Sequence, residues 1–89
     1  MKKHVNIRLT GKVQNVGFRY AALKTAEKYD VKGFVKNEPD GTVYIEAEGE
    51  EPKINHFIAW CHDGPAWARV DRVDTSEAPV DNLKEFRIA

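Results

Sequence analysis

HVNIRLTGKVQNVGFRYAALKTAEKYD, residues 4–30, changes its period midway. In its first part Val5, Ile7 and Leu9 alternate with His4, Asn6, Arg8 and Thr10, the period of two that marks a half-buried strand. Gly11 reads as the end of that strand, and Lys12 to Phe18 as a short loop containing glycine. From about Arg19 to Asp30 the spacing becomes helical, with Phe18, Ala22, Ala26 and Tyr29 along one face. A strand that feeds a helix through a tight loop begins a crossover, so the strand after the helix runs parallel to the first.

The rest of the chain fits around that unit. Gly33 to Lys36 reads as the second strand, and Pro39-Asp40-Gly41 is a turn signal. Thr42 to Glu48 alternates, with Val43, Ile45 and Ala47 inward and Tyr44, Glu46 and Glu48 outward, and Gly49 ends it. Ile54, Phe57, Ile58 and Cys61 form the apolar stripe of a second helix, with Pro52 in its first turn and Gly64-Pro65 as its stop. Trp67 to Asp74 is a further strand, in which the three-residue spacing of Val70 and Val73 implies a bulge. Ala78 to Asn82 is a loop, and Phe86 and Ile88 mark a short last strand. This order predicts an α+β, ferredoxin-like βαββαβ sandwich: a mostly antiparallel sheet, two helices on one face and a short extra C-terminal strand. The third strand can lie between the first two. The loop after strand one and the end of strand two, near Asn37, then open at one sheet edge, two strand spacings or roughly 10 Å apart.

Composition narrows the function classes. The 89 residues suit one domain spanning 1–89, and 14 basic residues balance 14 acidic ones. That balance argues against a nucleic-acid partner, which calls for a basic excess. The single cysteine, Cys61, cannot form an internal disulfide. The N-terminal alternation is unlike a signal peptide, and no apolar run reaches the length of a membrane span. The expectation is a cytoplasmic monomer without a membrane partner. His, Cys, Asp and Glu show no ligand spacing, so neither a metal nor another cofactor is expected.

The segment Gly11-Lys12-Val13-Gln14-Asn15-Val16-Gly17-Phe18-Arg19 carries the chemistry. Successive N–H groups in a turn that enters a helix can converge into a nest for an anion, aided by the helix dipole. Arg19 would oppose that dipole unless an anion lay between them, and its guanidinium matches the fork of phosphate oxygens. Taken alone, Arg19 is more simply an exposed helix residue.

Together with a second stretch, this segment resembles the acylphosphatase family. The family signature G-x-V-Q-G-V-x-F-R is met by Gly11, Val13, Gln14, Asn15, Val16, Phe18 and Arg19, with asparagine where the pattern has glycine. A second signature is met by Gly33-Phe34-Val35-Lys36-Asn37, then Gly41-Thr42-Val43 and Gly49. Gly64-Pro65 and Ala68-Arg69-Val70 are similar to later family segments. The resemblance spans essentially the whole chain and implies hydrolysis of small acyl phosphates to a carboxylate and inorganic phosphate. It makes Arg19 the phosphoryl-binding group and Asn37 the residue that orients the attacking water. The N–H groups of Gln14, Asn15, Val16, Gly17, Phe18 and Arg19 would hold the remaining phosphate oxygens. Asparagine tolerates positive φ, so Asn15 can preserve the loop while its side chain leans over the nest.

The alternative is a degenerate module that binds phosphate metabolites or a protein partner without turnover. Asn15 is its only support, and intact Arg19 and Asn37 count against it. Among the remaining residues, His4, His56 and His62 read as surface histidines, and Cys61 as an inert core thiol. Trp60 and Trp67 read as covers of core edges. Phe34 and Tyr44 belong on the helix-free side of the sheet, and Glu46, Glu48, Glu50 and Glu51 read as a solvated acidic stretch.

Overall fold

A computed structural model describes all 89 residues. The elements are β1 (Lys2–Lys12), α1 (Phe18–Lys28), β2 (Lys32–Asn37), β3 (Val43–Glu50), α2 (Glu51–Asp63), β4 (Arg69–Ala78) and β5 (Phe86–Ile88). They form a ferredoxin-like α+β fold with one sheet in the order β4-β1-β3-β2-β5. The pairings of β1 with β3 and β4, and of β2 with β3, are antiparallel, while β5 runs parallel to β2. The expected insertion of β3 between β1 and β2 is therefore present. Val5, Ile7, Leu9, Val35, Val43, Ile45 and Ala47 bury the helix-covered face against Phe18, Ala22 and Ala26 of α1 and Ile54, Phe57 and Cys61 of α2. No helix is long and apolar enough to cross a membrane.

Strand ends differ from the sequence reading in three places. β4 starts at Arg69, because Trp67 lies in the turn after α2, and it pairs with β1 as far as Ala78, past the expected end at Asp74. Gly11 does not close β1, which continues to Lys12. Thr10 faces Arg72 and Gly11 faces Val70, so Asp71 is the extra residue of the expected bulge in β4. Gly11 adopts φ 132°, and a Cβ there would collide with the Arg69 carbonyl oxygen, so glycine is what lets the ladder pass. Gly49 likewise does not end β3, since Glu50 still pairs with Lys2.

Three side chains also depart from expectation. Trp67 covers no core edge, being 80% exposed in the turn after α2. His4 is not a surface histidine, and Glu48 is not solvated: they are 3% and 0% exposed. The reason is topological. β4 and β5 lie at opposite edges of the sheet, so the chain between them must cross it. At the crossing, Glu48 Oε1 and Oε2 accept the N–H groups of Asp81 (2.6 Å) and Leu83 (2.7 Å). His4, directly opposite Glu48 on β1, bonds through Nδ1 to Glu48 and through Nε2 to Glu46, both at 2.9 Å.

Burial works against the charge on both groups, but their partners prevail. Hydrogen bonds to Glu48 and Glu46 hold the His4 pKa above its ordinary 6.5. The Asp81 N–H, His4 and the Leu83 N–H hold Glu48 below its ordinary 4.5. A raised histidine pKa favours folding below the unfolded value and loses that contribution as pH rises through the folded value. The depressed carboxylate contributes above 4.5 and loses its contribution as pH falls through its folded value. The stability gap between wild type and His4→Gln is therefore expected to be widest between about pH 5 and 6 and to narrow towards about pH 8. Urea melts across that range check it. A gap independent of pH would mean that His4 is buried uncharged.

Candidate functional site

The segment from Val13 to Gly17 joins β1 to α1 and is fixed at several points. Val13 is buried and Val16 packs against the core. Phe18 is 2% exposed and meets Trp60 of α2 at 5.3 Å between ring centroids. Gln14 plays a part the sequence did not disclose. Its Nε2 donates to the carbonyl oxygens of Glu38 (2.8 Å) and Thr42 (3.0 Å), the two ends of the turn that follows Asn37. That turn is itself rigid. Glu38 N–H donates to the Thr42 carbonyl at 2.9 Å, and Asp40 Oδ1 accepts from the Thr42 N–H and hydroxyl. Those two Thr42 bonds hold the Asp40 carboxyl below its usual range.

Inside this frame the backbone donors stay free. The N–H groups of Val13, Gln14, Asn15, Val16 and Gly17 donate to no protein acceptor, and helical bonding begins only at Ala21 N–H to the Gly17 carbonyl, 3.1 Å. Two left-handed residues, Asn15 (φ 61°) and Gly17 (φ 76°), curve the loop. Positive φ at Asn15 is what its sequence position implied. The helix that follows has no side-chain cap and no acidic residue in its first turn, so its positive end is uncompensated. Such a run of unpaired N–H groups at a helix start is built for an anion.

Arg19 and Asn37 face the same cavity of ≈ 230 Å³, together with Asn15, Gly17 and Phe18. Arg8, Arg69 and Arg72 are each tied to a carboxylate, whereas Arg19 pairs with none and is exposed. Asn37 Oδ1 is buried without a hydrogen-bond partner in the protein. A polar atom in that state costs about 1–3 kcal/mol, which a ligand hydrogen bond would relieve. The side chains of Gln14 and Val16 point to other work, so any contact they make with an anion is through their N–H groups. Two further cavity residues, Tyr20 and Ile88, were not singled out by sequence. Tyr20 could have been found as the neighbour of Arg19 in the first helical turn. Ile88 could not, because its place depends on β5 pairing beside β2.

No group of three or more His, Cys, Asp or Glu side chains is placed to hold a metal ion. Cys61 lies in the core, where burial pushes its thiol pKa up and keeps it protonated. What the site offers is a cation, a row of backbone donors and one amide, the apparatus for gripping a tetrahedral oxyanion and placing a neutral molecule beside it.

Comparison with known proteins identifies the family and the fold. The family model described as Acylphosphatase matches residues 5–88. An acylphosphatase of Nocardioides sp. is 42% identical over 88 residues, covering 99% of this chain and 89% of the relative. Among solved structures, an acylphosphatase from Coxiella burnetii superposes with a TM-score of 0.95 at 34% identity, covering 99% of this chain and 93% of its own. The crystal structure of the acylphosphatase from Bacillus subtilis gives 0.95 at 33% identity, with 100% and 99% covered.

Asn15 lines the cavity, so its side chain takes up space beside the anion that glycine would leave open. Asn15→Gly is therefore expected to tighten inorganic phosphate binding several-fold, read as thermal protection or as a lower inhibition constant. Weaker binding in the variant would mean that the Asn15 side chain itself contacts the anion.

Proposed function

The chain belongs to the acylphosphatase family, a hydrolase of acyl phosphates, and we propose that it does this work through a cradle of loop N–H groups, Arg19 and an Asn37-held water. One observation carries the proposal: an unpaired guanidinium and a buried, unpartnered amide oxygen share a cavity with a row of free backbone donors. In this reading the N–H groups from Gln14 to Arg19, with the Arg19 guanidinium, take the non-bridging phosphoryl oxygens. Asn37 Oδ1 accepts a hydrogen bond from the attacking water and holds its oxygen towards phosphorus.

The reaction then needs little else. The water oxygen bonds to phosphorus while the bond from phosphorus to the carboxyl oxygen breaks, and its electron pair leaves with the carboxylate. A carboxylate is stable near neutral pH, so no general acid has to protonate it. The proton released by water passes to a phosphoryl oxygen, giving inorganic phosphate. A loose transition state spreads charge over the equatorial oxygens, where fixed donors act most strongly. Positioning of the water supplies the remainder.

Two substitutions separate these roles. Arg19→Lys keeps the charge but loses the planar fork, and is expected to lower kcat by about 100-fold or more and to abolish competitive inhibition by phosphate. A variant that keeps most of its turnover would remove Arg19 from the site. Asn37→Ala is expected to lower kcat by about 100-fold or more while leaving phosphate affinity within a few-fold of wild type. Calorimetric titration with phosphate checks this, and simultaneous loss of affinity would make Asn37 a phosphate ligand instead.

A further inference from the structure

Only five large hydrophobic side chains are exposed in this protein: Met1, Tyr20, Trp67, Val80 and Ile88. Isolated exposed apolar residues need no explanation. Two of these five, Tyr20 (62% exposed) and Ile88 (41%), line the cavity that holds Arg19 and Asn37. They arrive from distant parts of the chain, one from the first turn of α1 and the other from β5.

Both are held in place. Tyr20 directly follows Arg19, and one turn on the Lys24 ammonium sits 5.8 Å from the centre of its ring. Ile88 is paired in parallel register with Val35, two residues before Asn37, and the next residue closes the ladder through Ala89 N–H to the Val35 carbonyl at 2.9 Å. Partners in parallel register point to the same sheet face. Ile88 therefore stands on the side of the buried Val35, which is also the side of Asn37.

We propose that Tyr20 and Ile88 form an apolar rim that receives the acyl substituent and gives this enzyme its preference among acyl phosphates, favouring aromatic and branched acyl groups over acetyl. The inference rests on the cradle described above. Arg19 and the loop donors engage phosphoryl oxygens, so the carbon end of the substrate must lie against another part of the cavity wall. The exposed hydrophobic part of that wall is Tyr20, through its ring, and Ile88. A flat ring can lie against both, whereas a methyl group is too small to reach them together. Burying apolar surface there lowers KM for the larger substrate, and a hydrophobic contact of this size discriminates by tens-fold.

The test compares benzoyl phosphate with acetyl phosphate as substrates of wild type and of the double variant Tyr20→Ser/Ile88→Ser. Both positions are exposed, and an unchanged thermal midpoint confirms the fold. The ratio of kcat/KM for benzoyl over acetyl phosphate is expected to fall at least tenfold in the double variant, chiefly through KM for benzoyl phosphate. A ratio within twofold of wild type overturns the rim. Arg19→Lys, assayed alongside, keeps the two readings apart. Loss of both substrates in that variant with an unchanged ratio in the double variant leaves the cradle standing and removes only the rim. Retained turnover in Arg19→Lys removes the cradle, and with it the ground for the rim.

Discussion

Two hydrogen bonds from one side chain hold the two halves of the site in register. Gln14 reaches from the loop after β1 to the carbonyl oxygens of Glu38 and Thr42, at either end of the turn after Asn37. β3 lies between β1 and β2, so loop and turn come from strands that are not neighbours. Backbone pairing alone leaves their spacing open. The Gln14 amide closes it, as a second donor to two carbonyl groups that each already accept one N–H within the turn. The arrangement explains why the loop N–H groups stay free. The loop is anchored by a side chain and by the buried Val13 and Phe18, so its own backbone donors need not be spent on its structure.

The opposite end of the sheet shows a matching constraint. The chain leaves β4 at one edge and must reach β5 at the other. The buried Glu48 carboxylate accepts two N–H groups of the crossing segment while His4 neutralises it. A buried carboxylate is tolerable only when it is paired and hydrogen-bonded in this way. The crossing delivers β5 to the outer side of β2 and thereby sets Ile88 at the rim of the cavity. An ionic cluster at the other end of the sheet thus anchors the segment that leads to one wall of the candidate site.

Much of this was legible in the sequence. Periodicity in β1, β3 and α2 reported burial directly, because each of those faces is continuously apolar, and the three-residue spacing of Val70 and Val73 disclosed the bulge. Arg19 and Asn37 were singled out because a cation at a helix start and an amide at a strand end fall within two matched signatures, and the fold brings both to one cavity. His4 and Glu48 were misread for a physical reason. Both sit at outward positions of their strands, where alternation implies water, and only the crossing segment, with no periodicity of its own, buries them. Gln14 was read for its backbone N–H because its side-chain partners, two carbonyl groups, carry no residue identity. Ile88 looks like an ordinary surface residue until the parallel pairing of β5 with β2 brings it to the cavity that Tyr20, beside Arg19, also lines.

The central claim is that loop, guanidinium and amide act together on phosphorus and not on the carbonyl carbon of the substrate. Hydrolysis of an acyl phosphate in water enriched in oxygen-18 decides this in a single turnover, with mass spectrometry of both products. Attack on phosphorus places the label in inorganic phosphate and leaves the carboxylate unlabelled, which is the predicted result. Label in the carboxylate would mean that water attacks the carbonyl carbon, and a cradle for phosphoryl transfer would then be the wrong account of this site.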